Sequence, residues 1–149
     1  MRSAIILVLS IWVFGASSVA CRASLGDTLT QCIARYGSPI SQGKGDSTNG
    51  GYGWYDFRKG VFEIEESFDQ GIVIIEVVWK TDRLAMSESE QETVLKANTG
   101  TGKWGQPKDG DRVRFWVRND GAYAGYYPLT GNETLGNEMS LGLGPARRH

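Results

Sequence analysis

Between Tyr52 and Lys80 the chain can fold in few ways. Two Gly-containing breaks, Arg58-Lys59-Gly60 and Asp69-Gln70-Gly71, cut this stretch into three strand-length pieces. Consecutive strands joined by tight turns are antiparallel, so the stretch reads as a three-strand meander. In the second piece Phe62, Ile64 and Phe68 share one face, and Val61, Glu63, Glu65 and Ser67 share the other. That is a half-buried strand with an acidic outer stripe. Glu66 falls on the apolar side, so either a bulge shifts the register there or its carboxylate reaches the rim. The third piece places Val73, Ile75, Val77 and Trp79 on one face and Ile72, Ile74 and Val78 on the other. With only Glu76 interrupting, it has the pattern of a central strand covered on both sides.

The rest of the chain packs onto that meander. Asp27 or Thr28 caps a helix whose Leu29, Cys32, Ile33 and Tyr36 recur at helical spacing, and Gly37-Ser38-Pro39 stops it. Ser41 to Gly51, with its glycines, Ser, Thr, Asp and Asn, reads as a loop. Its Gly43-Lys44-Gly45 lacks the Gly-Lys-Ser/Thr and the following helix of a phosphate cradle. Ser87 with Glu90 forms a capping box for a second helix ending at Asn98, with Val94, Leu95 and Asn98 inward. Gly102 to Gly110 is a loop. Arg112 to Val117 alternates strictly, with Val113, Phe115 and Val117 on one face and Arg112, Arg114, Trp116 and Arg118 on the other. Asn119-Asp120-Gly121 turns it into a returning strand, with Tyr123 and Tyr127 opposite Ala124 and Tyr126. Asn137 to Leu143 reads as a last edge strand. The expected fold is therefore α+β, in the order α-β-β-β-α-β-β. One twisted antiparallel sheet of five or six strands carries two helices, Thr28–Tyr36 and Ser87–Asn98, on one face. The repeated order of helix, loop, aromatic strand and returning strand hints at an internal duplication.

The first twenty residues read as a secretory signal peptide: Met1-Arg2, an apolar run from Ala4 to Gly15, and the small-residue end Ala16-Ser17-Ser18-Val19-Ala20. The run is short for a membrane span, which needs about twenty apolar residues. Cleavage after Ala20 or Ala23 leaves one exported domain over 24–143 and a disordered tail over 144–149. Cys21 is then a candidate for lipidation, for a disulfide with Cys32, or for removal with the leader, and Cys32 alone reads as core. The location is periplasmic, extracellular or envelope-associated, with a membrane contact only if Cys21 is lipidated.

Gly26-Asp27-Thr28, Cys32, Tyr36-Gly37-Ser38-Pro39 and the aromatic strand from Tyr52 resemble the small outer-membrane assembly lipoproteins of the SmpA/OmlA type, over roughly Leu25 to Lys80. Those domains share an architecture with the β-lactamase inhibitor proteins, in which helices cover one face of an antiparallel sheet. The resemblance implies an exported α+β interaction module and carries no functional residue across.

Catalytic chemistry is scarce. The single histidine is the last residue, His149, which leaves no histidine triad and no histidine-based metal site, and Cys21 with Cys32 cannot close a zinc site. No cofactor is called for. A net charge of −1 gives no drive toward nucleic acid. Glu63 and Glu65, roughly 6.5–7 Å apart by strand rise, with Asp56 nearby, offer a carboxylate pair for hydrolysis of a cell-wall or polysaccharide substrate. The stripe Arg112, Arg114, Trp116 and Arg118 is the stronger feature, because Arg and Trp dominate binding hot spots. Its alternative is internal pairing across strands with Glu63, Glu65 and Glu76. The expected function is a non-catalytic module whose open sheet face, bearing Arg112, Arg114, Trp116, Arg118, Glu63 and Glu65, contacts a protein partner. The alternatives are a lipid-anchored envelope assembly factor and a hydrolase.

Overall fold

Backbone pairing ties eight strands into one antiparallel sheet. The computed structural model describes residues 25–45, 52–129 and 136–144. In chain order these hold α1 (Leu29–Tyr36), β1 (Ser41–Gly43), β2 (Gly53–Lys59), β3 (Phe62–Asp69), β4 (Ile72–Lys80), α2 (Glu88–Ala97), β5 (Lys108–Asp109), β6 (Arg114–Val117), β7 (Tyr123–Tyr127) and β8 (Glu138–Gly142). The spatial order is β1-β2-β3-β4-β8-β7-β6-β5. Each half is a helix followed by four strands, and the halves join through β4 and β8, with Val77 opposite Ser140. The duplication hinted at in the sequence is thus repeated in the architecture.

The sheet has eight strands, against the five or six expected. The extra strands, β1 and β5, are three and two residues long and sit in stretches whose composition reads as loop. They owe their extended form to neighbours: Ser41 pairs with Asp56 and Lys108 with Phe115. β8 is also not an edge strand. It lies at the sheet centre between β4 and β7, with Met139 and Leu141 fully buried. The signal peptide, Cys21 and residues 145–149 lie outside the described residues. Gly144, assigned above to the tail, is buried, and any side chain there would meet the Gly121 carbonyl.

Local chemistry sets the helix ends. The Thr28 N–H donates to Gln31 Oε1 at 2.8 Å to open α1, and Gly37, at φ 92°, closes it with its N–H on Ile33 O. The Ser87–Glu90 box opens α2: Ser87 N–H donates to Glu90 Oε2 at 2.7 Å and Glu90 N–H to Ser87 Oγ at 3.3 Å. In α1 only Cys32 is fully buried, and Ile33, expected inward, is exposed, because two turns present only a narrow apolar stripe.

Both helices lie over the same face of the sheet and meet at Glu76 of β4. Tyr36 at the end of α1 donates its hydroxyl to Glu76 Oε2 at 3.3 Å, and Asn98 after α2 donates Nδ2 to Oε1 at 2.5 Å. Cross-strand register extends this covered face through Leu141, Ala124 and Trp116. Phe57, Ile64, Val73, Val78, Leu95, Tyr126 and Met139 fill the core. Glu66 follows neither expected alternative. The register shift comes one residue later, at Ser67/Phe68, so Glu66 stays opposite Glu76 and is fully buried. β4 is covered on one side only: Val73 and Val78 are buried, whereas Ile75, Val77 and Trp79 are half-buried on the other face.

Candidate functional site

The faces of β6 alternate as its sequence says, but they point the other way. Trp116 is 6% exposed and Arg118 3%, both beneath the helices, while Phe115 is 37% and Val117 46% exposed. The expected binding stripe is therefore internal at Trp116 and Arg118, while Arg114 is half-buried and Arg112 exposed. Arg118 forks onto Asp120 (Nε–Oδ1 2.8 Å, Nη2–Oδ2 2.9 Å), donates Nη1 to the Asn98 carbonyl, and stacks 5.3 Å from the Trp104 ring. Arg114 binds Asp109 and Glu88, each at 2.7 Å, and exposed Arg112 lies with it beside the first turn of α2. Arg114 and Arg118 stand on the opposite face from Glu63 and Glu65 and are bound instead by acids of α2, β5 and the β6–β7 turn. Every partner that makes the stripe internal lies outside β6, so no pattern within β6 could have revealed it.

The uncovered face is built by three register rows. One runs across all eight strands: Ser41, Asp56, Glu65, Val77, Ser140, Gly125, Phe115, Lys108. Beside it run Arg58, Glu63, Trp79, Glu138, Tyr127 and, on the other side, Trp54, Ser67, Ile75, Gly142, Tyr123, Val117. Tyr123 is 43% and Tyr127 45% exposed. Their rings lie over glycines: a Cβ on Gly142 would sit 2.5 Å from the Tyr123 ring, and one on Gly125 3.1 Å from that of Tyr127. The two missing side chains leave room for the rings to lie down on the sheet, each turning one aromatic face to solvent. The sequence signal for this platform was the Tyr123/Tyr127 alternation together with the glycines.

The expected face residues Glu63 and Glu65 do lie on this open side, in different electrostatic settings. Glu63 accepts from Trp79 Nε1 at 2.8 Å and from Arg58, with Arg83 at 3.9 Å; these hydrogen bonds, Trp79 first, hold its carboxyl below the usual range. Glu65 is pushed up, chiefly by burial and then by the charges of Asp56 and Glu138. Asp56 is pushed up by burial, with Glu63 adding to it.

Beneath the helices, Cys32 is a buried free thiol pushed up to about 12, by burial first and then by Glu66, Asp27 and Glu76. At pH 8 such a thiol has a negligible thiolate fraction. A maleimide will therefore label Cys32 only after unfolding; stoichiometric labelling of Cys32 in the native chain within minutes, located by peptide mapping, would contradict this burial. Among the described residues no cluster of His, Cys, Asp and Glu is arranged to hold a metal, and no helix is long and apolar enough to cross a membrane.

No family model and no curated protein matches this chain. Among solved structures, a cysteine-rich secretory protein from Staphylococcus aureus subsp. aureus Mu50 aligns with a TM-score of 0.44 and 12% identity, over 80% of this chain and 44% of that one. The chain thus spans under half the length of that structure.

Proposed function

We propose that this chain is an exported, non-catalytic binding module that contacts a protein partner through the uncovered sheet face. One observation carries the reading: Phe115, Val117, Tyr123 and Tyr127 stand side by side and exposed on a face that neither helix covers. Contiguous exposed apolar surface of this kind marks interaction sites, and tyrosine is among the residue types that dominate hot spots. Export rests on the leader pattern of residues 1–20.

A photo-crosslinking residue at Val117 tests the reading, with one at Gln31, exposed on α1, as control. The Val117 probe is expected to trap a partner that the Gln31 probe does not. Affinity for the identified partner should fall at least tenfold in Tyr123→Ala/Tyr127→Ala, with thermal stability retained. Equal trapping from both positions, or unchanged affinity in the double variant, overturns the reading.

A second reading, hydrolysis of a cell-wall or polysaccharide substrate through Asp56, Glu63 and Glu65, is favoured by the opposed shifts of Glu63 and Glu65. Such a split is the arrangement a general acid and its partner need. Glu65→Gln should then abolish release of reducing sugar from peptidoglycan or glycan; an absence of any such release from the wild-type protein removes this reading.

A further inference from the structure

The open face is electrostatically lopsided. Four of its acids, Asp56, Glu63, Glu65 and Glu138, gather on β2, β3 and β8, around the half-buried floor residue Val77. The two arginines at this end, Arg58 and Arg83, both attend Glu63, and Arg83 also stacks 4.5 Å from the Trp79 ring. Among the described residues no cation reaches Asp56, Glu65 or Glu138. Lys108 closes the same row at its far end, five strands from Glu65. At a strand spacing of about 4.8 Å that is roughly 24 Å, well beyond a physiological Debye length of about 8 Å. It does not neutralise the acids. Glu65 is raised chiefly by burial, and the charges of Asp56 and Glu138 add a repulsion that an incoming cation would relieve. Glu138 stands opposite the exposed ring of Tyr127, so carboxylate and aromatic face adjoin.

Building on the proposed binding face, we infer that the protein partner inserts an arginine over Val77, between Glu65 and Glu138 and against the Tyr127 ring. A guanidinium suits this corner better than an ammonium because its planar fork matches carboxylates while its face stacks on an aromatic ring. The apolar patch of Phe115, Val117 and Tyr123 then packs against the rest of the partner surface, and the arginine fixes its orientation.

The test is an amide NMR titration of the mature chain with acetyl-Gly-Arg-Gly-Arg-Gly-amide and its neutral citrulline counterpart, at low and physiological salt. The arginine peptide should shift the amides of Glu65, Val77, Ser140 and Tyr127 saturably and more strongly at low salt. The citrulline peptide should not. Glu65→Gln/Glu138→Gln should weaken the arginine peptide at least fivefold. Equal shifts from both peptides, no shifts at these positions, or the same shifts from calcium chloride alone would each overturn the arginine assignment. The binding-face reading is decided separately, by the Val117 crosslink and the tyrosine variants. A partner trapped from Val117 whose affinity ignores Glu65→Gln/Glu138→Gln would leave that reading standing and remove this one.

Discussion

Arg118→Ala will cost this domain about 2–3 kcal/mol of stability, because it removes a buried charge and leaves its half-buried partner carboxylate without that pairing. The guanidinium is 3% exposed and joins three elements at once: Asp120 in the β6–β7 turn, the carbonyl of Asn98 after α2, and the Trp104 ring. Deletion leaves the Asp120 carboxylate without its fork and the Asn98 carbonyl without that donor. It also opens space beside Gly102, which packs directly on the arginine stem. Arg112→Ala, on the exposed approach to the same strand, should stay within about 0.5 kcal/mol, as surface substitutions usually do. Urea midpoints of the two variants check the contrast. If Arg118→Ala kept its midpoint and lost partner binding instead, the assignment of the β6 faces would be reversed.

Glu76→Gln is expected to stabilise the protein at pH 8 and to make no such gain near pH 4. Glu76 is pushed up, chiefly by burial, against the partial opposition of hydrogen bonds from Glu66, Asn98 and Tyr36 and the charge of Arg35. Cys32 of α1 stands close enough for Glu76 to raise its thiol. Two carboxyls that share a hydrogen bond hold at least one proton between them. Below about pH 4.5 Glu76 is protonated in both folded and unfolded chains and makes no difference. As the pH rises the unfolded chain ionises first, and the fold loses about 1.4 kcal/mol per pH unit until its own raised pKa is reached. A glutamine keeps the oxygen that Asn98 binds and removes the ionisation. Urea unfolding of wild type and Glu76→Gln from pH 4 to 8 should therefore give curves that diverge upward in pH. Parallel curves would mean that Glu76 is not held neutral by its site.

The two predictions concern one continuous buried polar path. It runs from Tyr36 through Glu76 to Asn98 and Arg118, and so links α1, the central strand, α2 and the far hairpin. Satisfied polar groups of this kind fix how helices sit on a sheet more tightly than apolar contact does. Their effect on function is indirect: they hold both helices on one side and leave the other side free for Tyr123 and Tyr127.

Much of this was legible in the chain itself. The meander from Tyr52 to Lys80, the capped helices after Thr28 and Ser87, and the turn at Asn119-Asp120-Gly121 all rest on local rules: period two, capping boxes and glycine stops. Local rules also separated the two faces of β6 and of β7. They did not say which face is buried. Arg, Trp and Arg beside Val, Phe and Val look like an exposed polar stripe over an apolar underside, and hydrophobicity alone orients the strand that way. Asp120, the Asn98 carbonyl and the Trp104 ring reverse the choice, because together they satisfy a guanidinium that would otherwise be too costly to bury. Pairing between distant segments likewise made strands of Ser41–Gly43 and Lys108–Asp109 and drew Glu138–Gly142 into the sheet centre. Side-chain alternation and helix ends depend on residues a few positions apart, so the sequence determined them. Burial, strand order and the identity of the open face depend on partners tens of residues away, and only the tertiary structure decided those.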